Sequence, residues 1–177
     1  NFGRSVMGVL KVIKNRFSVR KFKDQPIESE KLERILEAAK AAPTAKNLQP
    51  QRIFVCKSKA ALAAIDSATK CRYGAPTVLV VCYDQNEVWH NPFDPTIDSG
   101  EIDASIVADE MVLAAWDEGI ASCWVAHFNP KKINSGLKIQ EHIRPVVLIP
   151  IGYAEDGVEP ALRHTESKDL DEIVHEL

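Results

Sequence analysis

Asp103-Ala104-Ser105-Ile106-Val107-Ala108-Asp109-Glu110-Met111-Val112-Leu113-Ala114-Ala115-Trp116-Asp117-Glu118-Gly119 reads as a helix with almost no polar face. Its apolar residues occupy nearly the whole circumference, so more than one neighbour must cover it, a second subunit among the candidates. Gly119 is placed to cap it, because glycine enters the left-handed region at no steric cost. Ala121 to Phe128 then read as a strand. A buried helix feeding directly into a strand calls for a layered α+β structure.

The flanking sequence supplies the sheet. Thr77 to Tyr83 and Pro145 to Tyr153 are apolar on both faces, which marks central strands buried on both sides. Ile53 to Cys56 gives a shorter strand, Ala60 to Lys70 an alanine-rich helix, Pro130 to Ser135 a short helix and Leu170 to His175 a closing one. Towards the N-terminus, Val6, Val9, Leu10, Ile13 and Phe17 form the stripe of a helix ending near Asn15, expected to pack by that face. A second helix starts at about Ser29, where Glu28, Glu30 and Glu33 suit the positive end of the dipole. Its stripe is Leu32, Ile35, Leu36 and Ala39, and Pro43 stops it by forcing Ala42 out of the helical region. Asp84 to Glu101, with Pro92, Pro95 and Gly100, reads as a long loop, either a lid or partly disordered. The expectation is one sheet and one domain over residues 1–177.

Composition narrows the classes of function. A chain of 177 residues, 45% hydrophobic and 27% charged, buries about 70% of its unfolded surface without disulfide or metal staples. A net charge of −3 and a pI near 6.0 exclude a general nucleic-acid binder. Cys56, Cys71, Cys82 and Cys123 form no C-x-x-C pair and read as buried thiols, which fits a reducing cytoplasm. No apolar run approaches the ~18 residues of a membrane span. The chain opens on Asn1, so Asn1 to Val6 are expected to be processed or appended sequence, with Met7 the natural start.

The eight glycines form neither a dinucleotide fingerprint nor a P-loop, and no nucleophile elbow or H-E-x-x-H is present. His90, Asp94, Asp98, Glu101 and Asp103 make an acidic run interrupted by Pro92 and Pro95, read as a solvated loop rather than a metal site. Three segments carry usable chemistry. In an extended Arg16-Phe17-Ser18-Val19-Arg20-Lys21-Phe22, alternation sends Arg16, Ser18 and Arg20 to one face. Two guanidinium forks around a hydroxyl suit phosphate or another delocalised anion, although alone they equally describe a basic turn. In Pro43-Thr44-Ala45-Lys46-Asn47-Leu48-Gln49 the side-chain amides offer donors and acceptors to a heterocycle edge, or simply satisfy the loop's own backbone. The small residues before Trp124-Val125-Ala126-His127 let a flat ligand reach the backbone, and His127 is either a packed or surface residue or a catalyst.

Taken in this order, these segments resemble the nitroreductase family of FMN-dependent oxidoreductases. The resemblance rests on residues 16–22, on Ala41 to Pro50, on Gly119 to Val125, on Pro145 to Tyr153 and on Leu170 to His175. It implies a central, mostly antiparallel mixed sheet wrapped by helices, in an intertwined homodimer with FMN at the interface, and gives the apolar helix a place in the dimer core. It implies that Arg16, Ser18 and Arg20 bind the flavin phosphate and pyrimidine edge. Pro43, Thr44 and Asn47 approach the flavin, often from the partner subunit, while Val125, Ala126 and His127 line it near N5. Arg163 is the candidate for a further phosphate contact, with Lys70 or Arg72 as substitutes.

The resemblance further implies ping-pong hydride transfer from NAD(P)H through FMN to a nitroaromatic, quinone or similar small acceptor. No protein nucleophile or metal takes part, and His127 narrows the substrate space or donates a proton. Flavin-fragmenting or reductive dehalogenating activity on the same fold, and a non-catalytic flavin-binding module, are the alternatives.

Overall fold

A computed structural model describes residues 8–177; Asn1 to Met7, including Val6 of the N-terminal stripe, lie outside the described residues. Four strands, β1 (Gln51–Cys56), β2 (Thr77–Asp84), β3 (Ala121–Ser122) and β4 (Ile143–Gly152), form one antiparallel sheet in the order β1-β2-β4-β3. The parallel component of the expected mixed sheet is a single bridge between Ser18 and Ser122. Every residue of β2 is buried, as its two-faced apolarity requires. Alternation then sorts the layers. Leu79, Val81 and Tyr83 face α2 (Ser29–Ala41) and α4 (Gly100–Asp117), while Val78, Val80 and Cys82 face α3 (Lys59–Ala68) and α5 (Pro130–Leu137). The register of β2 on β4 slips between Val81 and Cys82, opposite Pro145, which has no N–H to give to a ladder.

α4 buries Ala104, Val107, Ala108, Met111, Val112 and Ala115 against the sheet and α2. Asp109 and Glu110 are exposed and Ile102 is 57% exposed, so its own chain covers only part of the expected circumference. The helix begins at Gly100, three residues earlier than the sequence reading, where a Cβ would run into the Tyr83 ring. Gly119 caps it with φ +73°. At the same end, Arg34 of α2 grips the Glu118 carboxylate with two hydrogen bonds of 2.8 Å.

Three expectations need correction. The stripe of α1 (Val9–Asn15) does not pack on its own chain: Val9 is 72% exposed, Leu10 63% and Ile13 47%, and the buried residue is Val12 instead. The strand expected from Ala121 to Phe128 stops at Ser122, with one later bridge from Val125 to Leu148, because Trp124, Ala126 and His127 turn outward and the chain peels off the sheet. The loop after β2 is tied down rather than disordered: Trp89 and Ser99 hydrogen-bond both ways, His90 bridges Asp98, and Asn91 N–H donates to the Ile97 carbonyl. Its acidic residues serve local turns, Asp94 accepting from Thr96 and Asp98 from Gly100 N–H. Leu170–His175 shortens to α6 (Leu170–Ile173).

Candidate functional site

The basic N-terminal segment is extended because it adds to the sheet edge. Val19 N–H donates to the Ser122 carbonyl at 2.9 Å, and Lys23 N–H to the Tyr153 carbonyl at 2.8 Å. The predicted alternation holds from Arg16 to Arg20 and breaks after it, where Lys21 is exposed and Phe22, on the arginines' side of the alternation, is buried. Val19 and Phe22 are buried, and the half-buried Phe17 ring meets Trp116 of α4 edge-on, with centroids 5.2 Å apart. Arg16 and Ser18 stay half-buried and Arg20 is exposed. Ser18 and Arg20 line a cleft of about 330 Å³ whose other wall is the segment 155–161.

Arg16 and Arg20 have no carboxylate partner among the described residues, and they converge on neutral acids instead. Burial pushes the Cys123 thiol above its ordinary range, against the opposing pull of Arg20, a Ser18 hydrogen bond and Arg16. The Tyr73 phenol is raised chiefly by its hydrogen bond to Cys71, with Arg20 acting the other way. Guanidinium groups in no ion pair, beside a hydroxyl, are suited to an anion of delocalised charge. The His164 ring lies 6.0 Å from that of Phe17, so the turn Leu162–Thr165 brings the exposed Arg163 into the same neighbourhood. Arg72 is engaged elsewhere: its guanidinium is bound to both oxygens of Asp66 at 2.7 and 2.8 Å and to the Ala75 carbonyl. Lys70 remains exposed.

The second segment lies at the other end of α4. Lys46, Asn47 and Gln49 all have left-handed backbones, with φ of 51°, 55° and 53°. Such conformations in residues with a Cβ persist only where surroundings impose them. The clamp is Asp103: its Oδ1 accepts the Ala45 N–H at 2.9 Å, and the residue is 2% exposed. Its Oδ2 is buried with no hydrogen-bond partner among the described residues. Thr44 Oγ1 accepts the Gln49 N–H, so its oxygen serves the loop itself, while Pro43 and Asn47 are exposed. Sequence reasoning discounted Asp103 as part of a solvated run; the available signal was its helical spacing with Ala104 and Val107 on the buried face of α4.

Asp103 and Trp116 are thirteen residues apart on one helix, about 20 Å at 1.5 Å per residue. The structure therefore separates Thr44 and Asn47 from Arg16, Ser18 and Arg20 within one chain. The third segment stays with the arginines. Val125 is buried and exchanges two backbone hydrogen bonds with Leu148, at 2.9 and 3.0 Å. Ala126 and His127 point outward, and Thr69 Oγ1 donates to the His127 carbonyl at 2.6 Å, fixing the peptide plane.

The Nitroreductase family model matches residues 13–72 and 69–153. The chain belongs to the nitroreductase family. A nitroreductase family protein from Clostridium difficile 630 superposes with a TM-score of 0.90 at 37% identity, over 96% of this chain and 98% of that one. An FMN-dependent nitroreductase from Clostridium difficile R20291 gives 0.74 at 28% identity, over 94% and 97%. A relative from Archaeoglobus fulgidus, provisionally named NADH dehydrogenase/NAD(P)H nitroreductase, is 30% identical over 83% of this chain and 86% of its own length. Among the described residues of this family member, no group of three or more His, Cys, Asp or Glu could hold a metal ion, and no helix is long and apolar enough to cross a membrane.

Proposed function

We propose that the chain is one nitroreductase-like unit over residues 1–177, that it binds FMN as an intertwined homodimer, and that it works by ping-pong hydride transfer from NAD(P)H to a nitroaromatic, quinone or similar acceptor. The observation that carries the reading is the convergence of Arg16, Ser18 and Arg20 beside β3, with neither arginine in an ion pair among the described residues. The donor set fits FMN: two planar cations and a hydroxyl suit a phosphate and the electron-rich pyrimidine edge, and the outward peptide of residues 125–127 offers backbone to a flat ring. When bound, FMN supplies the redox chemistry of the reaction.

The chain supplies position and charge. Arg16 and Arg20 hold anionic groups and keep positive charge where reduction places electron density, a fixed field that needs no rearrangement during reaction. Ser18 donates to the phosphate, and Arg163 adds a third cation from the C-terminal turn. Thr69 locks the 127 carbonyl, so the peptides of Val125, Ala126 and His127 present a fixed edge. The imidazole of His127 is a candidate to give the acceptor its proton. Pro43, Thr44 and Asn47 act from the partner subunit, since the ~20 Å along α4 keeps them from their own chain's arginines. The exposed Val9, Leu10, Ile13 and Ile102, together with Leu170, Ile173 and Val174 on the C-terminal arm, support a second copy as their cover. A cytoplasmic location belongs to the same reading, supported by four free cysteines.

Titration of the purified protein with FMN, followed by flavin fluorescence, tests the reading. Stoichiometric uptake and NADH- or NADPH-driven reduction of menadione are expected. A chain that takes up no FMN overturns it, and tight uptake without turnover with any acceptor leaves a binding module.

A further inference from the structure

Beyond the flavin contacts, a cleft of about 1330 Å³ opens beside Ala126 and His127. It exists because β3 ends early. After the Val125–Leu148 bridge the chain swings out through Asn129 into α5, and β4 from Arg144 to Val147 has no strand along its outer edge among the described residues. The floor is apolar, with Phe128, Ile139 and Pro145. The rim is cationic. Lys131 and Lys138 come from the two ends of α5 and Arg144 from the start of β4, against the single carboxylate of Glu141.

None of these four charged residues is in an ion pair among the described residues. The contrast with Lys132 is instructive: one residue along, it turns away and donates to the Ser67 carbonyl at 3.1 Å. Lys131 and Lys138 hold no side-chain hydrogen bond or ion pair among the described residues, while Arg144 also pulls on the Tyr83 phenol beside it on the neighbouring strand; gathered round a concave low-dielectric floor, the cations focus a positive potential into it. An apolar floor with a cationic rim matches a flat molecule carrying an acidic group, and the volume exceeds that of ordinary drug-sized pockets.

We propose that this cleft is an anion subsite for the enzyme's substrates: it takes a carboxylate or phosphate on Lys131, Lys138 and Arg144 and seats the attached ring over Ala126 beside His127. The inference rests on the flavin reading, in which residues 125–127 face the reacting ring. The acidic group has two sources, the phosphates of the nicotinamide nucleotide or an acid substituent on the acceptor.

Equilibrium binding of 4-nitrobenzoate and of NADP+, the oxidised nucleotide that cannot reduce the flavin, by calorimetry at low ionic strength, separates them. The combined variant Lys131→Gln, Lys138→Gln, Arg144→Gln is expected to weaken at least one of the two at least tenfold, to leave FMN uptake within twofold, and to lose the salt dependence of that binding. Loss confined to 4-nitrobenzoate assigns the subsite to the acceptor; loss confined to NADP+ assigns it to the nucleotide of the hydride donor. Lys132→Gln is the control and should leave both unchanged. If the combined variant fails to fold, the single substitutions carry the test, each expected to weaken binding about threefold. The proposal is overturned if the wild type binds neither anion, or if the variants bind both within twofold of wild type. A wild type that binds the anions but takes up no FMN removes the flavin reading and keeps the subsite.

Discussion

The two ends of α4 solve opposite electrostatic problems. At its C-terminal end, beyond Trp116, lie two guanidinium groups that form no ion pair among the described residues. At its N-terminal end one buried carboxylate, Asp103, holds the backbone of a loop with three left-handed residues, and one of its oxygens has no hydrogen-bond partner among the described residues. Neither arrangement is favourable for an isolated chain: the first keeps like charges together, and the second combines backbone strain with an unsatisfied buried acceptor. Both make sense where a ligand is expected, the first as an anion seat and the second as a preorganised lip. Their separation of about 20 Å along one helix is what a two-fold axis resolves, by bringing one end of each copy to the opposite end of the other.

Removing the charge at one end should have the largest effect. Arg16→Ala combined with Arg20→Ala removes two charge-assisted contacts worth about 1.5–3 kcal/mol each, so FMN affinity should fall about 100-fold or more in a fluorescence titration. Affinity within threefold of wild type would show that the basic end is not the anion seat. Mixing the two defects tests whether the ends meet across copies. Chains carrying the arginine substitutions, refolded with an equal amount of Asp103→Ala chains, should recover about a quarter of wild-type flavin sites, since half the dimers are mixed and each mixed dimer has one intact site. No recovery would confine the site to a single chain.

Asp103→Ala alone orphans the Ala45 N–H and should cost about 1–3 kcal/mol of unfolding free energy in a urea titration, together with about tenfold in FMN affinity. Asp103→Asn keeps an acceptor oxygen and should recover most of both. Equal losses in the two variants would mean that the negative charge, not the clamp, matters.

The sheet beneath both ends gives a smaller, pH-dependent effect. Burial pushes the Cys56 thiol up to about 11, and the Cys82 thiol to about 12 with a further push from Cys56. An unfolded chain ionises them from about 9.0 upward, so their contribution is complete below pH 9 and is lost as the pH rises towards 12. The urea midpoint should decline across that window, and less steeply in Cys56→Ala with Cys82→Ala. The smallest change is expected from Arg72→Ala, whose guanidinium is already held by Asp66: FMN affinity should move less than twofold, and a tenfold loss would place Arg72 in the basic end after all.

Where one period accounted for burial, the sequence was a good guide. β2 and β4 read correctly because an uninterrupted apolar run has few other destinations, and Val19 went inside as alternation requires, whereas Phe22 is buried and Lys21 exposed against it. It misled wherever burial depends on what lies opposite. The α1 stripe has the pattern of a packed helix, yet Val9, Leu10 and Ile13 face away from their own chain. Residues 123–128 have strand composition, yet among the described residues their pairing with β4 ends at Cys123 and Val125. Asp103 looked solvated because a carboxylate in an acidic run usually is, and only the helix face that it occupies buries it.

By itself, the sequence determined the layered α+β class, the two central strands, the extended basic segment and the set of groups fit for an anion and a flat ring. These follow from periodicity and side-chain chemistry, which are local. The tertiary structure alone decided which groups meet: that Arg16, Ser18 and Arg20 gather around Cys123, that Arg72 is held by Asp66, that Thr44 and Asn47 sit at the far end of α4, and that three unpaired cations ring one cleft. The physical reason is that charge pairing and strain depend on distances across elements, and those are set by how helices and strands pack, not by spacing along the chain.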